Sequence, residues 1–197
     1  MNRLSNPKTK VIVILGPTSS GKSDVAIMLA KKFDGEVISA DSRQIYRDMN
    51  LGTGKVEGEW QKKNKRKVFV SEQVVHHLLD FRSPRGNYNV SHFQENCGTL
   101  INEISARKKL PIICGGTGFW IDAVVNGVVL PQVKPDHVLR KKLEKQTTKQ
   151  LHTQLKKLDS SRSKTIDSKN KQRLVRAIEI CKAIGSVPRI DRTETTK

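Results

Sequence analysis

The sequence predicts an α/β fold, a parallel sheet with flanking helices, carrying an additional subdomain that is mostly helical and basic. Three observations predict it. A β-branched apolar run, residues 11–16 (VIVILG), leads through a glycine-bearing turn into a stretch of good helix formers, the strand–loop–helix unit of a parallel sheet. Two further short apolar runs, 36–40 and 111–114, end in polar or glycine-rich residues, as strands do at the carboxyl edge of an open sheet. Beyond Gly127 apolar residues thin out, basic residues rise and the spacing becomes helical. A chain of 197 residues has room for both parts. The expected division is a core over 1–127 and a helical subdomain over 128–197.

The elements follow in order. A helix is expected from Ser23, with Val25, Ile27, Met28, Leu29 and Phe33 as its apolar residues. The second strand delivers Asp41 and Ser42 at its carboxyl end. A loop follows, RQIYRDMNLGTGK, broken by Gly52 and Gly54, and then the densest basic run, 62–67 (KKNKRK), expected as an exposed loop or helix end. Residues 68–80 (VFVSEQVVHHLLD) read as strand ending in Asp80. His76 and His77 alternate across it and so cannot share one metal. Phe93, Cys97, Leu100, Ile101 and Ile104 have helical spacing, with Ser91 as a cap. The third strand, 111–114, feeds Gly115-Gly116-Thr117-Gly118 and a short helix over 119–125. PDHVLRKKLEKQ, KQLHTQLKKLD and NKQRLVRAIEICKAIG then read as three helices. In the last, Leu174, Ala177, Ile178, Cys181 and Ile184 form a stripe opposite Gln172, Arg173 and Arg176.

Composition narrows the function. Lys+Arg number 37 against 19 Asp+Glu, a net charge of +18, which attracts polyanions, nucleic acid first among them. The three cysteines, Cys97, Cys114 and Cys181, form no C-x-x-C pair and support neither a disulfide framework nor a zinc site. The N-terminal MNRLSNPKTK has no long apolar region and no run of eighteen apolar residues occurs, which predicts a cytoplasmic chain.

The chemistry centres on GPTSSGKS, residues 16–23, which fits G-x-x-x-x-G-K-[ST]. Gly16 and Gly21 let the backbone curl so that its N–H groups face phosphate oxygens, with Pro17, Thr18, Ser19 and Ser20 between them. Lys22 adds charge, and the Ser23 hydroxyl suits Mg²⁺. The following helix N-terminus attracts anions too. The core is therefore expected to be a P-loop NTPase-like sheet. A nucleotide such as ATP is one occupant such a loop takes. The usual magnesium-holding acid at the end of an apolar strand is replaced here by Gly-Gly-Thr-Gly after 111–114, leaving Asp41 and Asp80 as strand-end acids. A small-molecule or nucleotide kinase stays open on this ground.

GPTSSGKS, ISADSRQIY with LGTGK, HHLLD, PIICGGTGFWIDAVVNG and NKQRLVRAIEICKAIG, in this order and spacing, resemble the tRNA dimethylallyltransferases (tRNA isopentenyltransferases) over roughly residues 10–185. The resemblance implies an enzyme whose P-loop holds the diphosphate of dimethylallyl diphosphate, with Mg²⁺ at Ser23. The dimethylallyl group passes to the exocyclic amine of the adenosine 3′ of the anticodon, in tRNAs reading codons that begin with U. It implies Asp41 as general base, with Lys22 stabilising the departing diphosphate. It also implies tRNA contacts at Asp41, Ser42, Arg43, Gln44, Thr117, Arg140, Gln172, Arg173, Leu174, Val175 and Arg176, and a monomer acting on the anticodon arm. Family members continue past the helical part, whereas this chain stops at PRIDRTETTK, so a truncated or fragmentary core is expected. A non-catalytic tRNA-binding homologue is the alternative, ahead of the kinase. The approach VFVSEQVV to HHLLD departs from the family pattern.

Overall fold

The computed structural model describes residues 10–63 and 66–188. The N-terminal stretch up to residue 9, the centre of the basic run at 64–65 and the C-terminal stretch from 189 lie outside the described residues. The chain divides into two compact units, one through Val128 and a second beginning at Val129.

The first unit is built on a six-stranded sheet. Its strands are β1 (Ile12–Leu15), β2 (Gly35–Ser39), β3 (Glu59–Lys63), β4 (Arg66–Ser71), β5 (Val74–His77) and β6 (Leu110–Gly115), in the order β1-β6-β2-β5-β4-β3. β1, β6, β2 and β5 run parallel, while β4 and β3 add an antiparallel hairpin. The helices α1 (Lys22–Lys32), α2 (Val90–Ala106) and α3 (Gly118–Val125) cover it. Alternation along the central strands sends Val37, Ile112 and Cys114 to one face, with Ala26, Ile27 and Ala30 of α1. Ile38, Ala40 and Ile113 go to the other, with Phe93, Ile101 and Ile104 of α2 and Trp120 of α3.

Several expectations are corrected. Residues 68–80 are not one strand: the chain reverses at Glu72 and Gln73, both with positive φ (45° and 69°), making β4 and β5 a hairpin. Neither residue is a usual left-handed turn former, so the turn left no mark in the sequence. The flanks of the basic run are strand rather than loop or helix end, Lys62 pairing with Lys67 and Lys63 with Arg66. Among the described residues β1 pairs with β6 alone, and Val13 and Leu15 are 39% and 57% exposed. Val25, Met28 and Phe33 of α1 face outward; Ala26, Ile27 and Ala30 carry the packing. The cap of α2 is Asn89, not Ser91: its side chain accepts from the backbone N–H of Ser91 and His92, and His92 Nδ1 accepts from Asn89 N–H in return.

The second unit packs α4 (His137–Glu144), α5 (Thr148–Leu158), α6 (Ser160–Thr165) and α7 (Lys171–Ile184) around Leu143, Leu151, Leu155, Ile166, Leu174 and Ile178. α6 is a fourth helix that the spacing did not predict. Asp159 starts it by accepting from Arg162 N–H at 2.8 Å, and its other oxygen takes Val187 N–H at 3.0 Å. Six residues without an apolar stripe give no periodicity to read.

Candidate active site

The loop after β1 is curled as its glycines predicted. Ser19 and Gly21 both have positive φ, 62° and 74°, which turns successive N–H groups toward one point. Gly21 is also the N-cap of α1 and supplies no side-chain bond there, leaving the first-turn amides of the helix to an anion. Inside the curl, Lys22 Nζ donates to the Pro17 carbonyl and to Ser20 Oγ at 3.3 Å, while Ser20 Oγ donates to Pro17 O at 2.9 Å. The ammonium is thereby held within the curl of the loop.

Asp41 enters from the end of β2. One carboxylate oxygen, Oδ1, accepts from Arg43 N–H at 2.9 Å and from Gln44 N–H at 3.4 Å, an Asx turn that fixes the side chain. The Gly116 backbone lies beside the other, Oδ2: a Cβ at Gly116 would stand 3.7 Å from it. Thr117 joins the turns after β2 and β6. Its N–H donates to Ala40 O at 3.1 Å, its Oγ1 accepts from Ser42 N–H at 2.9 Å and donates to Ser42 Oγ at 3.3 Å.

Asp41 and the phosphate loop line one cavity of about 300 Å³, together with Gln44 and residues 54–56. Ser23 lies on that lining with its hydroxyl in the first turn of α1. Among the described residues no group of three His, Cys, Asp or Glu side chains could hold a metal. A Mg²⁺ that takes one protein hydroxyl and draws its remaining oxygens from a diphosphate and water fits this donor set. Asp80, a strand-end acid by sequence, does not line the cavity: its oxygens meet Lys55 Nζ at 2.5 Å and Trp60 Nε1 at 3.2 Å. His77 lies 2.6 Å from Glu36, and His76 packs edge-on against Phe69, so each histidine is engaged separately.

A match to the IPP transferase family model runs over residues 44–196. The chain belongs to the IPP transferase family. It is 41% identical to the tRNA dimethylallyltransferase of Finegoldia magna over 182 residues, 90% of this chain and 55% of that one. The crystal structure of the full-length tRNA isopentenylpyrophosphate transferase from Bacillus halodurans superposes with a TM-score of 0.56 at 37% identity, covering 91% of this chain and 57% of that one. A eukaryotic dimethylallyltransferase acting on tRNA superposes with a TM-score of 0.70 at 30% identity, covering 88% of this chain and 42% of that one. These likenesses include the P-loop NTPase-like fold of the first unit. The chain thus spans about half the length of the curated relatives it matches.

The family's helical unit holds its expected RNA-facing residues in three different ways. Gln172 and Arg173 are exposed in the first turn of α7. Leu174 and Val175, expected as RNA contacts, are corrected to core: they are 0% and 6% exposed and pack in the apolar cluster, so their side chains meet Leu and Ile rather than RNA. Arg140 and Arg176 converge on Glu179, which the sequence reading missed. Arg140 donates from Nε at 2.9 Å and from a terminal nitrogen at 2.8 Å, and Arg176 donates at 2.5 Å while bonding Val133 O at 2.9 Å. The one acidic residue inside the basic helix α7 was the available signal.

Burial would raise the Glu179 pKa, but the two guanidiniums and the Asp136 N–H outweigh it and hold the group at about 2. Its contribution to stability is therefore complete above the ordinary carboxylate value and is lost as pH falls from about 4.5 through about 2. Glu179→Gln is expected to destabilise the helical unit by about 2–3 kcal/mol at neutral pH. It should also flatten the acid limb of the stability–pH curve. A melting curve in that window that matches wild type would refute the assignment.

Proposed function

We propose that the chain carries the donor site and anticodon-arm contacts of a tRNA dimethylallyltransferase. The observation that supports this best is the convergence of the phosphate loop and Asp41 Oδ2 on one cavity. An adenine amine is a weak nucleophile because its lone pair is delocalised into the ring. As its nitrogen bonds the allylic carbon of dimethylallyl diphosphate, the carbon–oxygen bond breaks and the electron pair leaves with the diphosphate. The amine proton passes to Asp41 Oδ2. The loop amides and Lys22 meet the charge growing on the leaving group. Mg²⁺ held at Ser23 would supply further charge neutralisation there.

The acceptor base, stacked in an anticodon loop, must be turned out to meet Asp41. Ser42, Arg43, Gln44 and Thr117 surround that carboxylate and are assigned to it. Gln172 and Arg173 are assigned to phosphates, and Arg140 and Arg176 to shaping the surface that presents them. The net charge of +18 supplies sequence-independent affinity for RNA. We place the protein in the cytoplasm, acting as a monomer. Among the described residues no helix is long and apolar enough to cross a membrane. The kinase reading is not favoured, because the family match and the tRNA dimethylallyltransferase relatives support the transferase.

Equilibrium binding tests the donor half of this reading. Lys22→Ala is expected to weaken dimethylallyl diphosphate about 10–100-fold while leaving an anticodon stem-loop bound as before. Unchanged diphosphate affinity in that variant would defeat the assignment.

A further inference from the structure

Residues 54–56, which line the cavity beside the phosphate loop, end a strap, residues 48–56, and the strap is pinned by a buried lysine. Lys55 has a side chain only 5% exposed, yet it keeps its ammonium fully satisfied. It donates to Tyr46 O at 2.8 Å, to Asn50 Oδ1 at 2.9 Å and to Asp80 Oδ1 at 2.5 Å. Asn50 lies in the strap, Tyr46 just before it and Asp80 shortly after β5, so one side chain gathers three segments. The same corner is tied by backbone, Asp80 N–H donating to Gln44 O at 2.9 Å, and by Trp60 Nε1 on Asp80 Oδ2 at 3.2 Å. Gln44 completes it, its Nε2 donating to Thr53 O at 3.1 Å and Gly54 O at 3.0 Å. The strap is thereby brought so close to the phosphate loop that a Cβ at Gly54 would sit 3.4 Å from Thr18 Cγ2.

A buried charge taken out of water costs several kcal/mol unless it is fully paired, and a wall made only for packing needs none. Here the pair fixes the segment whose residues 54–56 line the cavity. About 300 Å³ is the small end of ligand cavities. It suits a diphosphate with a short branched chain set against Val56 and Cys114. A nucleoside triphosphate has more than twice as many non-hydrogen atoms.

We infer that Lys55, through its pair with Asp80, is a positioning residue that makes the phosphate loop selective. The strap it pins admits a short-chain diphosphate ester and excludes a nucleotide. This rests on the reading of the loop as a diphosphate site, and it concerns which phosphate ester fits rather than how the group is transferred.

The test compares wild type, Lys55→Met and Asp80→Asn for affinity toward three probes with Mg²⁺: inorganic pyrophosphate, dimethylallyl diphosphate and ATP. Trp60 emission is recorded alongside, with Trp60→Phe to identify its share. Inorganic pyrophosphate reads the loop alone and is expected to bind all three proteins within about twofold. The preference for dimethylallyl diphosphate over ATP is expected to fall about tenfold in Lys55→Met as the strap loosens, with a shift in Trp60 emission. Asp80→Asn, which leaves Lys55 its bonds to Tyr46 O and Asn50, should move both in the same direction by less, and decides the matter if Lys55→Met does not fold. Unchanged preference with pyrophosphate still bound overturns the role of Lys55 and leaves the diphosphate reading of the loop standing. ATP bound by wild type as tightly as dimethylallyl diphosphate overturns both.

Discussion

Asp41→Asn is expected to lower prenyl transfer by about 10²–10⁴-fold, the range removed with a general base. Both substrates should still bind. The amide replaces one carboxylate oxygen only. Its remaining carbonyl can accept from Arg43 and Gln44 N–H as Oδ1 does now, so the Asx turn survives. What is lost is a proton acceptor beside Gly116, on the lining it shares with the phosphate loop. Single-turnover transfer at saturating stem-loop and dimethylallyl diphosphate separates the two effects. A loss confined to the rate supports the base. A loss confined to affinity would make Asp41 a tRNA contact and a turn-former only. If neither changes, Asp41 has no part in the reaction.

Gly115→Val is expected to unfold or nearly unfold the first unit. A Cβ at this position would stand 2.3 Å from both the carbonyl carbon and the oxygen of Ala40. These are backbone atoms of the neighbouring strand, and no rotamer change can relieve the overlap. Ala40 N–H also donates to Cys114 O at 2.8 Å and Ala40 O accepts from Thr117 N–H, so separating the strands breaks bonds at the site itself. Overpacking of this kind costs about 3 kcal/mol or more, a large part of a typical stability of about 5–15 kcal/mol. Even Gly115→Ala should lower the melting temperature by about 10 °C. Circular dichroism melts check it, and an alanine variant that melts with wild type would contradict the packing described.

The parts of the fold written in local pattern were legible in the sequence. The strand–loop–helix around GPTSSGKS forms where its glycines predict, because such a loop is specified by residues adjacent in the chain, although the packed face of α1 is Ala26, Ile27 and Ala30 and not the expected Val25, Met28 and Phe33. Asp41 is likewise placed by the strand before it. What the sequence did not show depends on partners far along the chain or on backbone geometry without a residue signature. Glu72 and Gln73 turn a hairpin with neither glycine nor asparagine. Lys55 was visible only as the last letter of LGTGK, since its acceptor Asp80 lies 25 residues away. Arg140 was expected as a tRNA contact with no sign of its partner, because Glu179, which also binds Arg176, is 39 residues away. Leu174 and Val175 were grouped with their polar neighbours by the motif, although the helical stripe already assigned Leu174 to the core.

The central claim is that the phosphate loop holds the prenyl diphosphate and Asp41 takes the proton from the acceptor amine. It is tested most directly by incubating the 197-residue chain with labelled dimethylallyl diphosphate, Mg²⁺ and an anticodon stem-loop carrying adenosines 3′ of the anticodon, then digesting the RNA and identifying the labelled nucleoside. The account predicts label on the exocyclic amine of the adenosine next to the anticodon, dependent on Lys22 and Asp41. Stem-loop bound but never labelled, or ATP turned over in place of the prenyl donor, would contradict it.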